Sequence, residues 1–306
     1  VSMQEEETLN GGAHATETIG WFAIDSGTAN DGDTILEGGI TGNSFNHDAS
    51  AGSFSASFND TPALIAKLGS YRGGDPASLR TTEISSSGFK ALVHEDKSLD
   101  KEIWHVEETI NFLALDSSSG SLSGDEYSNQ SSSSIGEYGT LSLDHNWKAV
   151  SFNNSYTNPV VIVSDPSFNG GDPGNIRLQN VGSSSFEARF QEPNYKDGAH
   201  ITEQASYVVV ESGEWEMADG TRFSAGTTTT NKLTSAGFET ISFDNSFSDT
   251  PSLLTQVQTY NGGDWVTTRT DSITGQSFEV SMQEEESLNG GAHATETIGW
   301  FAIDSG

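Results

Sequence analysis

The sequence predicts an all-β protein made of tandem, small antiparallel β-sandwich units. Three observations predict it. Segments such as FEVSMQE (278–284) and FEARFQE (186–192) alternate apolar and polar residues with a period of two, the mark of strands buried on one face. Runs of five to eight residues of this kind are separated by Gly, Asn, Asp and Ser turns. No segment carries a sustained apolar stripe at helical spacing.

The units themselves come from internal repetition. Residues 1–27 and 280–306 are the same sequence apart from Thr8 against Ser287, at an offset of 279 residues. Two divergent copies lie between, and all four end in Ser-Gly: Ser26-Gly27, Ser119-Gly120, Ser212-Gly213 and Ser305-Gly306, spaced by 93 residues. The chain therefore divides into 1–27, the closing part of a preceding unit, and full units at 28–120, 121–213 and 214–306. The near-identity at 279 residues points to a higher-order repeat of three units within a longer array. On this view residues 1–27, which hold only closing strands, would complete an incomplete unit of a neighbouring chain by strand addition, or continue one chain.

Each unit repeats the same landmarks. An aromatic-x-Gly-Gly-Asp turn occurs at Tyr71–Asp75, Phe168–Asp172 and Tyr260–Asp264. It follows a short apolar strand (ALIAKL, VVIVSD, SLLTQV). An Arg stands five residues past each Asp, at Arg80, Arg177 and Arg269. Phe89, Phe186 and Phe278 then open a strand that ends at Glu95, Glu192 and Glu284. A loop leads to His105, His200 and His293, each followed three residues on by Glu108, Glu203 or Glu296. An aromatic-apolar strand closes the unit. These runs give about six strands per unit, the size of a small sandwich. The Ser-, Gly- and Thr-rich stretches SSSGSLSGDEYSNQSSSSIGEYG and ADGTRFSAGTTTTNKLTSAG are either tethers or the polar opening strands of the next unit.

Composition narrows the function. With 44 acidic and 13 basic residues the net charge is −31, which excludes nucleic acid and anionic membranes as partners. It suits high solubility, high salt, or divalent cations held between chains. No Cys is present, so disulfides and Cys-based metal sites are excluded. No apolar run is long enough to span a bilayer, and no signal peptide opens the chain.

The order ISFDNSFSDTP (241–251), SLLTQVQTY (252–260), SFEVSMQE (277–284) and GWFAID (299–304) resembles the H-type lectin domain over about 65 residues of each unit. The Glu and His-x-x-Glu signature marks a divergent, bacterial-type repeat branch. The resemblance implies a six-stranded antiparallel sandwich that associates as a trimer. It also implies binding of N-acetylgalactosamine-like sugars in loops near the subunit interface. Three units in one chain are then a covalent version of such a trimer.

The recurrent polar set is Asp75, Arg80, Glu95, His105 and Glu108, with Asp172, Arg177, Glu192, His200 and Glu203, and Asp264, Arg269, Glu284, His293 and Glu296. Three readings stand. The set is an ion-pair cluster that fixes loops or joins units, with Glu95 as partner of Arg80 and His105 paired to Glu108 across a turn. Or it is a ligand site for a sugar or a divalent cation. Or it is catalytic, against which stand the single His per unit and the odd His–Glu spacing, which within a strand sends the two to opposite faces. The one cofactor suggested is calcium, which Glu5-Glu6-Glu7 and Glu284-Glu285-Glu286 can bridge. The expected function is a non-enzymatic extracellular or cell-surface structural protein forming a stalk, fibre or filament from copies of itself. The alternative is a multivalent carbohydrate-binding adhesin that engages cell-surface or matrix glycans.

Overall fold

The computed structural model describes residues 17–25, 27–31, 34–98, 101–126, 132–285 and 293–303. Glu5, Glu6, Glu7 and His14 of the partial copy, and Glu286, lie outside them. The chain is nearly all β, with a 3₁₀ turn at Thr234–Ala236 as the one helical element among the described residues.

After β1 (Glu17–Asp25), the first unit contains β2 (Gly27–Asp31), β3 (Thr34–Ile40), β4 (Ser50–Ser53), β5 (Ala63–Leu68), β6 (Ala77–Ser85), β7 (Gly88–Glu95) and β8 (Ile110–Leu115). The second has β9 (Gly120–Glu126), β10 (Ser132–Leu143), β11 (Lys148–Ser151), β12 (Pro159–Val163), β13 (Asn175–Gly182), β14 (Ser185–Gln191) and β15 (Glu203–Glu211). The third has β16 (Gly213–Glu216), β17 (Arg222–Thr230), β18 (Glu239–Ser242), β19 (Pro251–Val257), β20 (Val266–Asp271), β21 (Ser277–Glu284) and β22 (Glu296–Ile303). Each unit thus has seven strands rather than about six. The extra strand comes from the Ser- and Gly-rich stretches, which open each unit as a hairpin: β9 pairs β10 antiparallel across Ser123↔Ser134. Their backbone bonds are made even though their side chains carry no strand pattern.

In every unit a layer of four strands faces a three-stranded sheet, and pairing of β9 with β16 joins the four-strand layers of the second and third units into one nine-stranded sheet that also holds β1. In the first the orders are β2-β3-β8-β5 and β4-β7-β6. Between the two sheets lies an apolar core with Phe45, Leu79, Phe89 and Phe112. The equivalent cores contain Ile176, Phe186 and Val209 in the second unit and Val266, Phe278 and Ile298 in the third.

The four-strand layers have a second apolar face. Ile65, Leu113 and Leu115 of the first unit, Val160, Ile162 and Val208 of the second, and Leu254, Phe301 and Ile303 of the third meet in one cluster. Strands such as β5 therefore alternate between two cores: Ile65 faces the shared cluster while Leu64 and Ala66 face the unit's own. That double burial is why ALIAKL reads as a continuous apolar run rather than an alternating one. The units are arranged around this shared core as a closed set of three, not as a linear stack. The expectation that successive units simply stack is corrected here: the third unit contacts the first as well as the second.

Edge strands are covered by neighbours. Asn111 Nδ2 of the first unit donates to the Leu253 carbonyl of the third at 2.9 Å. Val161 N of the second donates to Gln258 Oε1 of the third at 2.6 Å.

β1 repeats the sequence of β22, and it takes the same register. Trp21 and Trp300 both pair with Gly226, and Glu17 and Glu296 both pair with Thr230. Against β19, Ala23 and Ala302 both pair with Leu253.

Candidate functional site

The recurrent polar residues come together at the three places where one unit meets another. Leu79 faces the core of the first unit, so strand alternation points Arg80 outward, into the second. Arg80 Nη2 donates to Glu203 Oε1 at 2.8 Å and to the Ser167 carbonyl at 2.8 Å. Its Nε donates to the Ser167 carbonyl at 3.0 Å, and its Nη1 to the Asp172 carbonyl at 3.1 Å. The next joint repeats this. Arg177 donates to Glu296 Oε1 at 3.2 Å and to the Asp264 carbonyl at 2.6 Å in the third unit. The last joint closes the ring, as Arg269 of the third unit donates to Glu108 Oε1 at 3.0 Å and to the Ser70 carbonyl at 3.2 Å in the first. All three arginines and their glutamates have side chains 0% exposed.

The aromatic-x-Gly-Gly-Asp turn is the receiving half of each joint. Its ring covers the incoming guanidinium: Arg80 lies 4.8 Å from the Phe168 centroid, Arg177 4.8 Å from Tyr260, and Arg269 4.8 Å from Tyr71. A cation against a ring face in a desolvated place is a favourable pairing. The turn backbone is held by the same glutamate that takes the arginine. Glu203 accepts from Gly170 N at 2.8 Å and from Ser167 Oγ at 2.5 Å. Glu108 accepts from Gly73 N at 3.0 Å, and Glu296 from Gly262 N at 2.8 Å.

The histidine packs under the turn. A Cβ on Gly73, Gly170 or Gly262 would lie 2.4 Å from the ring of His105, His200 or His293, so the first glycine of the pair is required by close approach. His105 Nδ1 contacts Glu95 Oε1 at 2.6 Å, and its Nε2 contacts Glu108 Oε1 at 3.2 Å. His200 does the same with Glu192 (2.8 Å) and Glu203 (3.0 Å). His293 bridges Glu284 and Glu296. Both ring nitrogens of each imidazole thus face carboxylates.

Electrostatics follow from this geometry. Burial alone would raise the Glu108 carboxyl, but His105, Arg269, Ser70 and Gly73 outweigh it and hold it at about 2. Glu203 is likewise held at about 2, against its burial, by His200, Ser167 and the turn amides. Burial pulls His105 down, yet its bonds to Glu108 and Glu95 win and raise it. Glu296 has longer contacts, 3.4 Å to His293 and 3.2 Å to Arg177, and burial pushes it up to about 7. Burial lowers Arg80 and Arg177 to about 10, still far above neutrality.

Two sequence expectations are corrected. Arg80 pairs with Glu203, not with Glu95, which is taken by His105. His105 and Glu108 do not lie on opposite faces of a strand, because His105 sits in the loop before β8 and its ring turns back onto Glu108. The aspartates stand at the rim of each joint. The Asp172 and Asp264 carbonyls accept the neighbour's arginine, and the Asp172 carboxylate is held below its usual range by Lys196 at 2.5 Å. Asp75 lies with Glu95 and Glu102. The sequence did not point to Tyr71, Phe168 and Tyr260 as arginine covers. Their recurrence beside Gly-Gly was the available signal.

The chain is 34% identical to halomucin of Haloquadratum walsbyi (strain DSM 16790 / HBSQ001) over 170 residues. That stretch covers 52% of this chain and 2% of halomucin's length. No protein-family model and no solved structure matches the chain.

Proposed function

We propose that the chain is a non-enzymatic, extracellular structural segment, in which three units form one bead of a longer repeat array. The observation that carries this is the use of the recurrent residues: at every joint the arginine, histidine and glutamate bond to one another and to the neighbouring turn. The likeness to halomucin supports an extracellular structural role. No helix among the described residues is long and apolar enough to cross a membrane.

Beads join to one another through the closing strand. The closing strand recurs at β1, β8, β15 and β22. β1 and β22 have one register against β17 and β19, and a sheet spacing of about 4.8 Å leaves room for one of them. The two copies have equal claim on the third unit, and addition of a closing strand from one bead to the next would join them. Cysteine trapping tests this in the full chain, which has no native Cys. Thr229 faces Thr18 in one pairing and Thr297 in the other. Disulfides should form in both T18C/T229C and T297C/T229C, and between chains carrying T18C and chains carrying T229C. Trapping of T297C alone would overturn the exchange.

A second reading keeps the H-type-lectin-like, carbohydrate-binding role. It is favoured by Trp104, 76% exposed beside the joint and steadied by His47 at a ring separation of 4.8 Å. An exposed indole is a stacking platform for a sugar face. Glycan-array binding lost in W104A would support it, and binding unchanged by W104A would count against it.

A further inference from the structure

The three joints have the same plan but not the same charge. In the second unit the set is complete: Glu192, Glu203 and Asp172 face His200, Arg80 from the neighbouring unit, and Lys196. Lys196 Nζ sits 2.5 Å from Asp172 Oδ1, and Glu192 Oε2 accepts from Gly198 N at 3.2 Å.

In the first unit the side chain brought to the equivalent aspartate and glutamate is another carboxylate. Asp75, Glu95 and Glu102 each offer an oxygen, and these oxygens lie within 4.8 Å of one another. Glu108 lies across His105 from Glu95 and takes Arg269. Glu95 is 2% exposed, its Oε1 is taken by His105, and its Oε2 has no hydrogen-bond partner. A buried carboxylate oxygen left this way, beside two further carboxylates, is costly unless a cation answers it.

We propose that Asp75, Glu95 and Glu102 bind one divalent, oxygen-seeking cation of the calcium class, which does in the first unit what the Lys196 ammonium does in the second. Two oxygens on one such ion, each at about 2.4 Å, are at most about 4.8 Å apart, and the carboxylate oxygens of this cluster lie within that limit of one another. Asp75 follows Gly74 at the receiving turn and Glu95 holds His105, so the ion also ties the loop of Glu102 to the joint between the third and first units. Among the described residues the third unit groups Asp264, Glu284 and His293, with a histidine as the third member instead of a carboxylate.

Terbium(III) is the probe, because Trp104 lies two residues from Glu102 and its backbone N–H donates to Glu102 Oε2 at 2.8 Å, which keeps the indole close enough to sensitise bound terbium. The full chain is titrated with terbium in concentrated potassium chloride, which screens the diffuse field of the −31 charge. The expected result is saturable emission at one equivalent, reversed by calcium, with affinity at least tenfold weaker in E102Q. Calorimetry on W104F should show the same single calcium site without the emission. Emission that rises without saturating, or that is equal in E102Q and the parent chain, would overturn the site and leave only diffuse counter-ion association. Because E102Q leaves Arg269, Glu108 and His105 in place, its unfolding midpoint without cation should match the parent chain.

Discussion

Arg80 Nη2 lies 2.8 Å from Glu203 Oε1, both side chains fully buried, although 123 residues of chain separate them. Two further pairs of the same kind, Arg177–Glu296 and Arg269–Glu108, complete a cycle that returns to the first unit. The cycle makes stability a property of three units together. In a linear repeat array each unit answers only to its chain neighbours.

Breaking one pair should cost more than any surface pair. R80M leaves Glu203 buried with its guanidinium partner gone, for which about 3–5 kcal/mol is expected in urea unfolding. The exposed Lys90–Glu83 pair, 48% and 65% exposed, should be worth less than about 1 kcal/mol when cut by K90M. Equal effects would show that the joints carry no special weight.

Stability should have an acid limb and a basic limb. Glu108, held at about 2 in the fold against an ordinary 4.5, contributes stability that is complete above pH 4.5 and lost as pH falls towards 2. The shift corresponds to roughly 3 kcal/mol. His105 is raised, so its contribution is complete below its ordinary 6.5 and lost as pH rises through its folded value. Glu296, raised to about 7, contributes stability that is lost as pH rises above 4.5, so the urea midpoint should peak near the lower end of the range from pH 4.5 to 6.5. E108Q should flatten the acid limb.

The two glycines of the receiving turn should differ sharply. A Cβ on Gly170 meets His200 at 2.4 Å, whereas one on Gly171 meets nothing within 4 Å. G170A should destabilise by about 1–3 kcal/mol through overpacking, and G171A should be close to neutral. Thermal unfolding of the two variants at one pH and salt decides it.

Salt should stabilise the fold. A net charge of −31 on 306 residues repels itself, and added ions screen it. The urea midpoint should rise steadily from low to molar potassium chloride. No rise would mean that the charge is already offset within the fold.

Much of this was legible in the sequence, for physical reasons that differ by element. FEVSMQE announced its strand because only one of its faces meets a core. The recurrent Arg, His and Glu could be gathered into one set because each repeats at a fixed offset. Their partners could not be assigned. Proximity in sequence pointed Arg80 at Glu95, whereas the ring brings Glu203 to it. ALIAKL held the clue to the ring, since a short strand apolar on both faces needs two cores, and one sandwich supplies only one. The opening hairpins were hidden because Ser and Gly carry no burial pattern, and their order comes from backbone pairing alone.

The most direct test of the closed ring is a set of spin-label distances. Ser87, Ser184 and Gln276 are exposed and hold the same place in their units, before the conserved pattern of Gly/Ser-Phe at Phe89, Phe186 and Phe278. Each pair of these positions, changed to Cys and labelled, is measured by pulsed electron resonance in the otherwise Cys-free chain. The ring predicts three nearly equal distances, including the one from the first unit to the third. A first-to-third distance about twice the other two is what a linear stack gives, and it would contradict the account.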